Sequence, residues 1–176
     1  MIVAQARSPA FYRSYGVPDT VAGRIDMIVM HLVLVLRQLR AAQPSGGPGA
    51  QSLGQQVFDR FCEDMDDNFR EMGVGDLAVP KEMRRVGEAF YGRAKAYEAA
   101  LSAGDAEALA GALARNVFGE EGSTAGPPLG ARRLAGYMQE VSARLAAQAT
   151  EALIQAEPDF PAAEAVEQPA LQEGRS

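Results

Sequence analysis

The chain has 176 residues, of which 17 are basic and 23 acidic, so its formal charge at pH 7 is −6. Residues 145–176 hold six of the acids and one base, and the rest of the chain is close to neutral. This charge balance excludes a strongly basic nucleic-acid-binding protein, so DNA is not an expected partner. The hydrophobic content of 47% is ordinary for a globular domain and excludes wholesale disorder.

A short helix is predicted first in the chain. Ser8-Pro9 is typical of a helix start, with a capping side chain followed by proline in the first turn. Gly16 ends this helix, and a turn follows. Either Asp19 or Thr20 then caps a long second helix.

The second helix runs to about Ala42 and contains the most apolar stretch of the chain, residues 27–36. Apolar residues cover nearly all of its faces, which predicts the central helix of a bundle. A membrane-spanning helix needs about 20 apolar residues, roughly twice this length. The sequence therefore predicts a buried helix and a soluble protein.

A glycine- and proline-rich loop is predicted over residues 43–51. Ser52 and Gln55 have the spacing of a capping box, which would begin a third helix with one apolar stripe. Gly73 would end that helix. Pro80 then lies where the first turn of a fourth helix tolerates proline.

The fourth helix contains Gly87 and Gly92, which we interpret as points where another backbone approaches closely. Gly104 would end it, and Asp105 would cap a fifth helix. Residues 119–129 are a second glycine- and proline-containing loop.

A final helix is predicted to extend to about Leu153, and an acidic, proline-rich segment follows it. The low aromatic content of that segment predicts a disordered tail over residues 157–176. Together the elements predict an all-α, single-domain bundle of about six helices over residues 1–156.

Few residues suggest chemistry. The chain has one cysteine, Cys62, and one histidine, His31, so a disulfide, a cysteine-rich zinc site and a histidine-based catalytic pair are excluded. No glycine-rich phosphate loop, dinucleotide fingerprint or serine nucleophile motif is present. We predict structural roles for Cys62 and His31. We also predict that the protein has no metal site, no cofactor and no enzymatic activity.

The acidic segment 64–68 invites comparison with a calcium-binding loop. Such a loop needs glycine at its sixth position, where this chain has Phe69. The segment also keeps helical phase with its neighbours. We therefore interpret it as a solvated helix face on which Asp66 and Arg70 are neighbours at four-residue spacing.

Several blocks form an ordered pattern over residues 11–118. They are Phe11-Tyr12, Tyr15 to Thr20, Gly23-Arg24, Asp26 to Ile28, His31, Leu34 to Arg37, Leu39, Asp64 to Asp66, Arg70 to Asp76, Val79 to Lys81, Ala89 to Arg93 and Arg115 to Val117. Together they resemble the ubiquinol–cytochrome c chaperone family, the bacterial relatives of a mitochondrial cytochrome b assembly chaperone.

The resemblance implies an all-helical, non-catalytic assembly factor for the respiratory bc1 complex, with newly made cytochrome b as its client. The mitochondrial relatives also work with a small partner subunit and bind near the ribosomal exit tunnel. The first residues lack the apolar core of a signal peptide. We expect a bacterial cytoplasmic protein, with contact at the inner face of the cytoplasmic membrane left open. The alternative is a bundle that binds a haem, quinone or lipid between its helices.

The candidate interaction surface lies around the acidic third helix and its exit. The polar residues there lie off the stripe formed by Phe61, Met65 and Phe69, so packing alone does not require them. Aromatic and basic residues of the other blocks extend the candidate set. The candidate partner-binding residues are Tyr12, Tyr15, Arg24, Asp64, Asp66, Asp67, Arg70, Met72, Gly73, Asp76, Tyr91 and Arg93.

Overall fold

The computed structural model describes residues 2–71, 75–119, 126–149 and 158–164, with the backbone alone at 43–52 and 68. The helices of this described part are α1 Ile2–Ala6, α2 Pro9–Arg13, α3 Val21–Ala41, α4 Gln43–Glu71, α5 Val79–Ala103, α6 Ala106–Val117 and α7 Leu129–Ala147. The same residues contain no strand. The predicted all-α bundle is confirmed, and α1 is the helix that the sequence pattern did not predict.

Local capping explains most helix boundaries. Ser8, Thr20 and Asp105 each accept a hydrogen bond from a backbone N–H in the first turn of α2, α3 and α6. Thr20, rather than Asp19, is therefore the cap of α3. Gly104 ends α5 in the left-handed conformation, with φ of 66°, which glycine adopts without steric cost.

The start of α4 differs from the prediction, because residues 43–51 are helical and do not form a loop. Pro44 lies in the first turn, where the missing N–H has no helical partner to lose. Ser52 is consequently inside α4, so its predicted capping box with Gln55 is wrong. Glycine lowers helix propensity by only about 1 kcal/mol per residue, which tertiary packing can offset.

The central position predicted for α3 is confirmed. This helix contacts α1, α4, α5, α6 and α7. Its residues Met27, Met30, Leu32 and Leu34 are almost completely buried. No helix of the described residues is both long and apolar enough to cross a membrane.

Close backbone approach occurs away from the glycines predicted to mark it. A Cβ at Gly87 or Gly92 would meet no atom within 4 Å, so that interpretation is wrong: both positions face open space. At Gly23 a Cβ would lie 2.1 Å from the carbonyl oxygen of Pro18. Gly23 therefore lets the turn before α3 fold back onto the first turn of that helix.

Part of the predicted disordered tail packs against the bundle. In the segment 158–164, the carbonyl of Pro161 accepts a hydrogen bond from Gln5 at 2.8 Å. The carbonyl of Ala163 accepts one from the Tyr15 hydroxyl at 2.7 Å, and Ala163 itself is buried. This segment departs from the prediction of disorder because distant side chains satisfy its backbone, a contact that composition cannot reveal.

Three predictions lie partly or wholly outside the described residues. Helix α7 ends at Ala147, and Gln148 and Ala149 are not helical, so the predicted continuation is wrong at these two residues. Its remaining part, residues 150–153, lies outside the described residues. The same holds for residues 165–176 of the tail and for 120–125 of the predicted loop.

Candidate functional site

Several of the predicted partner-binding residues lie together at the C-terminal end of α4 and in the connector that follows. Nε of Arg70 donates to Asp66 at 2.7 Å, and Nη1 of Arg70 donates to Asp76. The hydrogen bond and charge of Asp66, followed by Asp76, raise the pKa of the Arg70 guanidinium above its ordinary value. Arg70 therefore ties the connector to the end of α4.

The other acids of this end differ in their surroundings. Asp64 is half-buried and pairs with Arg60 at 2.8 Å, one turn earlier on the same helix. Asp67 is exposed. The candidates Met72 and Gly73 lie outside the described residues.

A fully exposed leucine lies in the connector between α4 and α5, and the sequence pattern did not identify it. Leu77 directly follows Asp76 and is 99% exposed. An isolated apolar residue in a connector has no periodicity that could mark it. Its exposure follows from the connector, which projects Leu77 outward.

Tyr91 lies on α5 at the edge of an aromatic cluster that joins α4 to α5. The ring of Phe58 lies 5.0 Å from Phe90 and 6.0 Å from Tyr91, and Phe61 also faces Phe90. Tyr91 is 65% exposed, and it borders a surface cleft of about 410 Å³ that also includes Arg40. This arrangement presents an aromatic ring beside an open groove.

Arg93, one turn before Tyr97, is largely buried. Its Nη2 is 2.8 Å from Oδ1 of Asp26, and the two side chains are only 20% and 10% exposed. Burial raises the pKa of the Asp26 carboxyl to about 6, and the Arg93 charge opposes that rise. The pair joins α5 to α3 and leaves only a small part of the Arg93 side chain exposed.

Tyr15 is also internal, in a cluster built around His31. Tyr15 is 1% exposed, and its ring packs on Phe11 with centroids 5.4 Å apart. Burial raises the pKa of the Tyr15 hydroxyl. Tyr15 therefore holds the C-terminal segment through Ala163 and is not presented to a partner.

The hydrogen bonds of His31 define its tautomer. Nδ1 lies 2.7 Å from the carbonyl oxygen of Met27, which can only accept, so Nδ1 carries the proton. Nε2 then accepts from the hydroxyl of Tyr137 at 2.9 Å. Complete burial lowers the pKa of His31 to about 4. Both ring nitrogens are engaged, which leaves neither free as a ligand for haem iron or another metal.

Gln5 completes this buried network. Its Nε2 donates to the Tyr137 hydroxyl at 2.9 Å and to the carbonyl of Pro161. Phe160 packs edge-on against the His31 ring at 5.3 Å. The network therefore connects α1, α3, α7 and the segment 158–164.

The surroundings of Cys62 disfavour reactivity of its thiol. Cys62 is half-buried, and burial together with the charge of Asp59 raises the pKa of its thiol, which disfavours the nucleophilic thiolate. Within the described ranges, no group of three or more histidine, cysteine, aspartate or glutamate side chains is placed to hold a metal ion.

Tyr12 and Arg24 line a second cleft, where α1, α2 and the start of α3 converge. The cleft there has a volume of about 310 Å³. It is lined by Arg7, Pro9, Tyr12, Arg13, Asp19 and Arg24. Sequence reasoning missed Arg7 and Arg13, because only the folding of three separate elements brings them beside Arg24.

The model of the ubiquinol-cytochrome C chaperone family matches residues 13–160. The chain belongs to this family. The match runs from Arg13, the last residue of α2, to Phe160, which packs on His31. The resemblance drawn from the sequence blocks is thereby confirmed.

A solved relative supports the same assignment for this family member. The structure of this chain is similar to the crystal structure of the Cbp3 homolog from Brucella abortus, with a TM-score of 0.80 and 36% sequence identity. The similarity covers 94% of this chain and 87% of that chain. No curated protein matches the chain.

Proposed function

We propose that this chain is a non-catalytic chaperone that binds newly made cytochrome b and promotes assembly of ubiquinol–cytochrome c reductase, the bc1 complex. The family match over residues 13–160 carries this proposal. The similarity to the Brucella abortus Cbp3 homolog, at 36% identity across nearly the whole fold, supports it.

The state of the titratable groups supports a binding role over a catalytic one. His31 is buried with both nitrogens engaged, and Asp26 is paired with Arg93. An active site needs a nucleophile or base that faces a substrate cavity. These groups are directed into the packing of the bundle.

We place the client surface on the hairpin of α4 and α5. Phe58 of α4 contacts Phe90 and Tyr91 of α5, and a short connector carrying Leu77 joins the helices at the other end. At 1.5 Å per residue, the 13 residues between Leu77 and Tyr91 correspond to roughly 20 Å of hairpin.

This surface suits an apolar helix of the client. A membrane protein exposes such helices before its assembly is complete, and an apolar helix can dock along a groove through residues at helical spacing. Leu77 and Tyr91 would supply exposed apolar contact, and Asp66, Asp67 and Asp76 would supply the polar rim.

The cellular setting is part of the proposal. We place the protein in the bacterial cytoplasm, where it would meet cytochrome b at the inner face of the cytoplasmic membrane during synthesis. A small partner subunit and the ribosome are further candidate partners. Mass spectrometry of the proteins that co-purify with a tagged copy would identify which of these it binds.

Deletion of the gene tests the proposal. The expected result is a loss of mature bc1 complex and of the b-type haem absorbance, with unchanged transcription of the cytochrome b gene. Expression of the wild-type chain should restore both. Normal bc1 levels in a deletion strain that has no second family member would contradict the proposal. A purified chain that binds haem, quinone or lipid stoichiometrically would then favour the alternative of a ligand-binding bundle.

A further inference from the structure

We propose that the cleft between α1, α2 and the start of α3 binds the phosphate of an anionic phospholipid headgroup. We name it the arginine cleft and define it by its lining residues Arg7, Pro9, Tyr12, Arg13, Asp19 and Arg24. Its volume of about 310 Å³ is close to that of ten water molecules at about 30 Å³ each. This space is enough for a phosphodiester and its glycerol.

The charge of the cleft points to an anion. Three guanidinium groups face one carboxylate, that of Asp19, which is already engaged with Nε and Nη2 of Arg24 at 2.9 and 2.8 Å. Arg7 and Arg13 have no ion-pair partner in the described part of the chain. This local excess of positive charge stands out in a protein whose net charge is −6.

Most other described arginines contrast with this pair. Arginines of α3, α4, α5 and α7 each reach a carboxylate of the same fold within 4 Å; they are Arg40, Arg60, Arg70, Arg84, Arg85, Arg93, Arg132 and Arg144. Folding therefore neutralises most of the arginines, yet it leaves two uncompensated guanidinium groups at one cleft.

The tyrosine of the cleft adds a hydroxyl to this arrangement. Tyr12 is half-buried, and its hydroxyl donates to the carbonyl of Ala6 at 3.0 Å. Burial raises the pKa of Tyr12, and the charges of Arg24 and Arg7 oppose that rise, because both guanidinium groups lie close to the ring. Arg7 and Arg24 therefore lie near the same ring, and Arg13 lines the same cleft.

Phosphate is the anion that fits this set. The planar guanidinium forms paired hydrogen bonds with phosphate oxygens, and several such groups around one cleft recognise a phosphate more specifically than single charges do.

The neighbouring surface indicates a membrane as the source of the phosphate. Val21 lies in the chain between the lining residues Asp19 and Arg24 and is 60% exposed. An exposed apolar side chain beside cationic groups is typical of proteins that rest on the interface of an anionic membrane. The choice of lipid over a soluble phosphate rests on the proposed function, since the client is a membrane protein.

Vesicle sedimentation with the purified full chain tests this proposal. The probe is a vesicle of mixed phosphatidylcholine and phosphatidylglycerol, compared with phosphatidylcholine alone. The wild-type chain is expected to sediment with the anionic vesicles only. The double variant Arg7→Gln and Arg13→Gln should bind them roughly 10- to 30-fold more weakly, because each cation near the surface contributes about one kcal/mol.

Arg84→Gln is the matched control, since Arg84 is exposed and lies on α5 away from the cleft. The control should bind as the wild type does. An equal loss in Arg84→Gln, or no preference of the wild type for anionic vesicles, would overturn the proposal. Saturable binding of glycerol 3-phosphate without vesicle binding would assign the cleft to a soluble phosphate and overturn the lipid source.

The assay separates this inference from the proposed function. Vesicle binding is measured on the isolated chain, and bc1 assembly is measured in the deletion strain. A chain that restores bc1 assembly but ignores anionic vesicles would refute the lipid site alone. Vesicle binding through Arg7 and Arg13, together with normal bc1 levels in the deletion strain, would refute the chaperone role alone.

Discussion

The hydroxyl of Tyr137 on α7 donates a hydrogen bond to Nε2 of His31 on α3 across 2.9 Å in the centre of the bundle. Since Nδ1 of His31 must donate to the Met27 carbonyl, Nε2 depends on Tyr137 as its hydrogen-bond donor. Gln5 of α1 donates in turn to the same hydroxyl. One phenol oxygen therefore couples α1 and α3 to α7, although Tyr137 lies more than 100 residues later in the chain than Gln5 and His31.

Replacing Tyr137 by phenylalanine is expected to lower the free energy of unfolding by about 1–3 kcal/mol, because Nε2 of His31 would remain buried without a donor. Urea denaturation measures the change. Tyr91→Phe is the matched control: Tyr91 is exposed, so its loss should cost less than about 0.5 kcal/mol. Equal effects of the two variants would mean that the buried hydrogen bond contributes little.

His31 can be observed alone by NMR, because the chain contains one histidine. Burial lowers its pKa to about 4, so the ring should stay neutral at pH 6 as the Nδ1-protonated tautomer and titrate only near about pH 4. The unfolded chain takes up this proton near about pH 6.5. The stability that neutral His31 contributes is therefore complete above that pH and declines as the pH falls towards 4.

A ring that titrates near its ordinary pKa would contradict the buried network. The Tyr137→Phe variant extends the test, because loss of the donor should alter the Nε2 chemical shift at neutral pH.

Asp26 is expected to give a pH dependence of stability opposite in sign to that of His31. Its pKa in the folded protein is raised from 3.8 to about 6, so the folded state binds a proton that the unfolded state releases. This contribution is present at pH below 3.8 and is lost as the pH rises through 6. Between pH 6 and 4, the unfolding free energy of wild type minus that of Asp26→Asn should therefore grow by about 2 kcal/mol.

Urea denaturation of both proteins at several pH values gives this difference, and the contributions of all other groups cancel in the subtraction. A difference that shrinks as the pH falls would mean that the charge of Arg93 outweighs the effect of burial on Asp26.

Two truncations test the role of the C-terminal segment. A chain ending at residue 164 should keep the melting temperature of the full chain, because it retains the acceptors Pro161 and Ala163. A chain ending at residue 157 loses two hydrogen bonds at about 1 kcal/mol each. Its melting temperature should fall by roughly 4–8 °C, as followed by circular dichroism.

If both truncations melt with the full chain, the contacts of Phe160 and Ala163 do not contribute to stability. If the chain that ends at residue 164 fails to restore bc1 assembly, residues 165–176 have a role outside the bundle.

Leu77→Asp is expected to reduce the cytochrome b that co-purifies with the chain by roughly tenfold or more, the effect of losing a central apolar contact in an interface. Because Leu77 is 99% exposed, the melting temperature should not change. Leu129→Asp, at a less exposed site on α7, is the control and should retain the client. Client capture that survives Leu77→Asp would exclude the connector from the binding surface.

Local signals in the sequence determined much of this fold. A capping side chain acts on backbone N–H groups within three residues of itself, so Ser8, Thr20 and Asp105 mark their helices without help from the rest of the chain. Gly104 ends α5 for an equally local reason, its left-handed backbone. The apolar run of α3 likewise required burial in any bundle.

The candidate site depended more on tertiary structure. The sequence blocks identified the family, and they included Asp66, Arg70 and Asp76, which the structure does bring together. The same blocks contained Tyr15 and Arg93, which are internal because their partners come from other elements. Leu77 was missed because exposure depends on how the connector is directed.

Contacts between distant segments were decided by tertiary structure alone. Segment 158–164 is held by side chains of Gln5 and Tyr15, about 150 positions earlier in the chain. Arg7 and Arg13 form one cleft with Arg24 only after α1, α2 and α3 have packed. Caps and periodicity report energies between neighbours in the chain, whereas these contacts arise between residues that only folding makes neighbours.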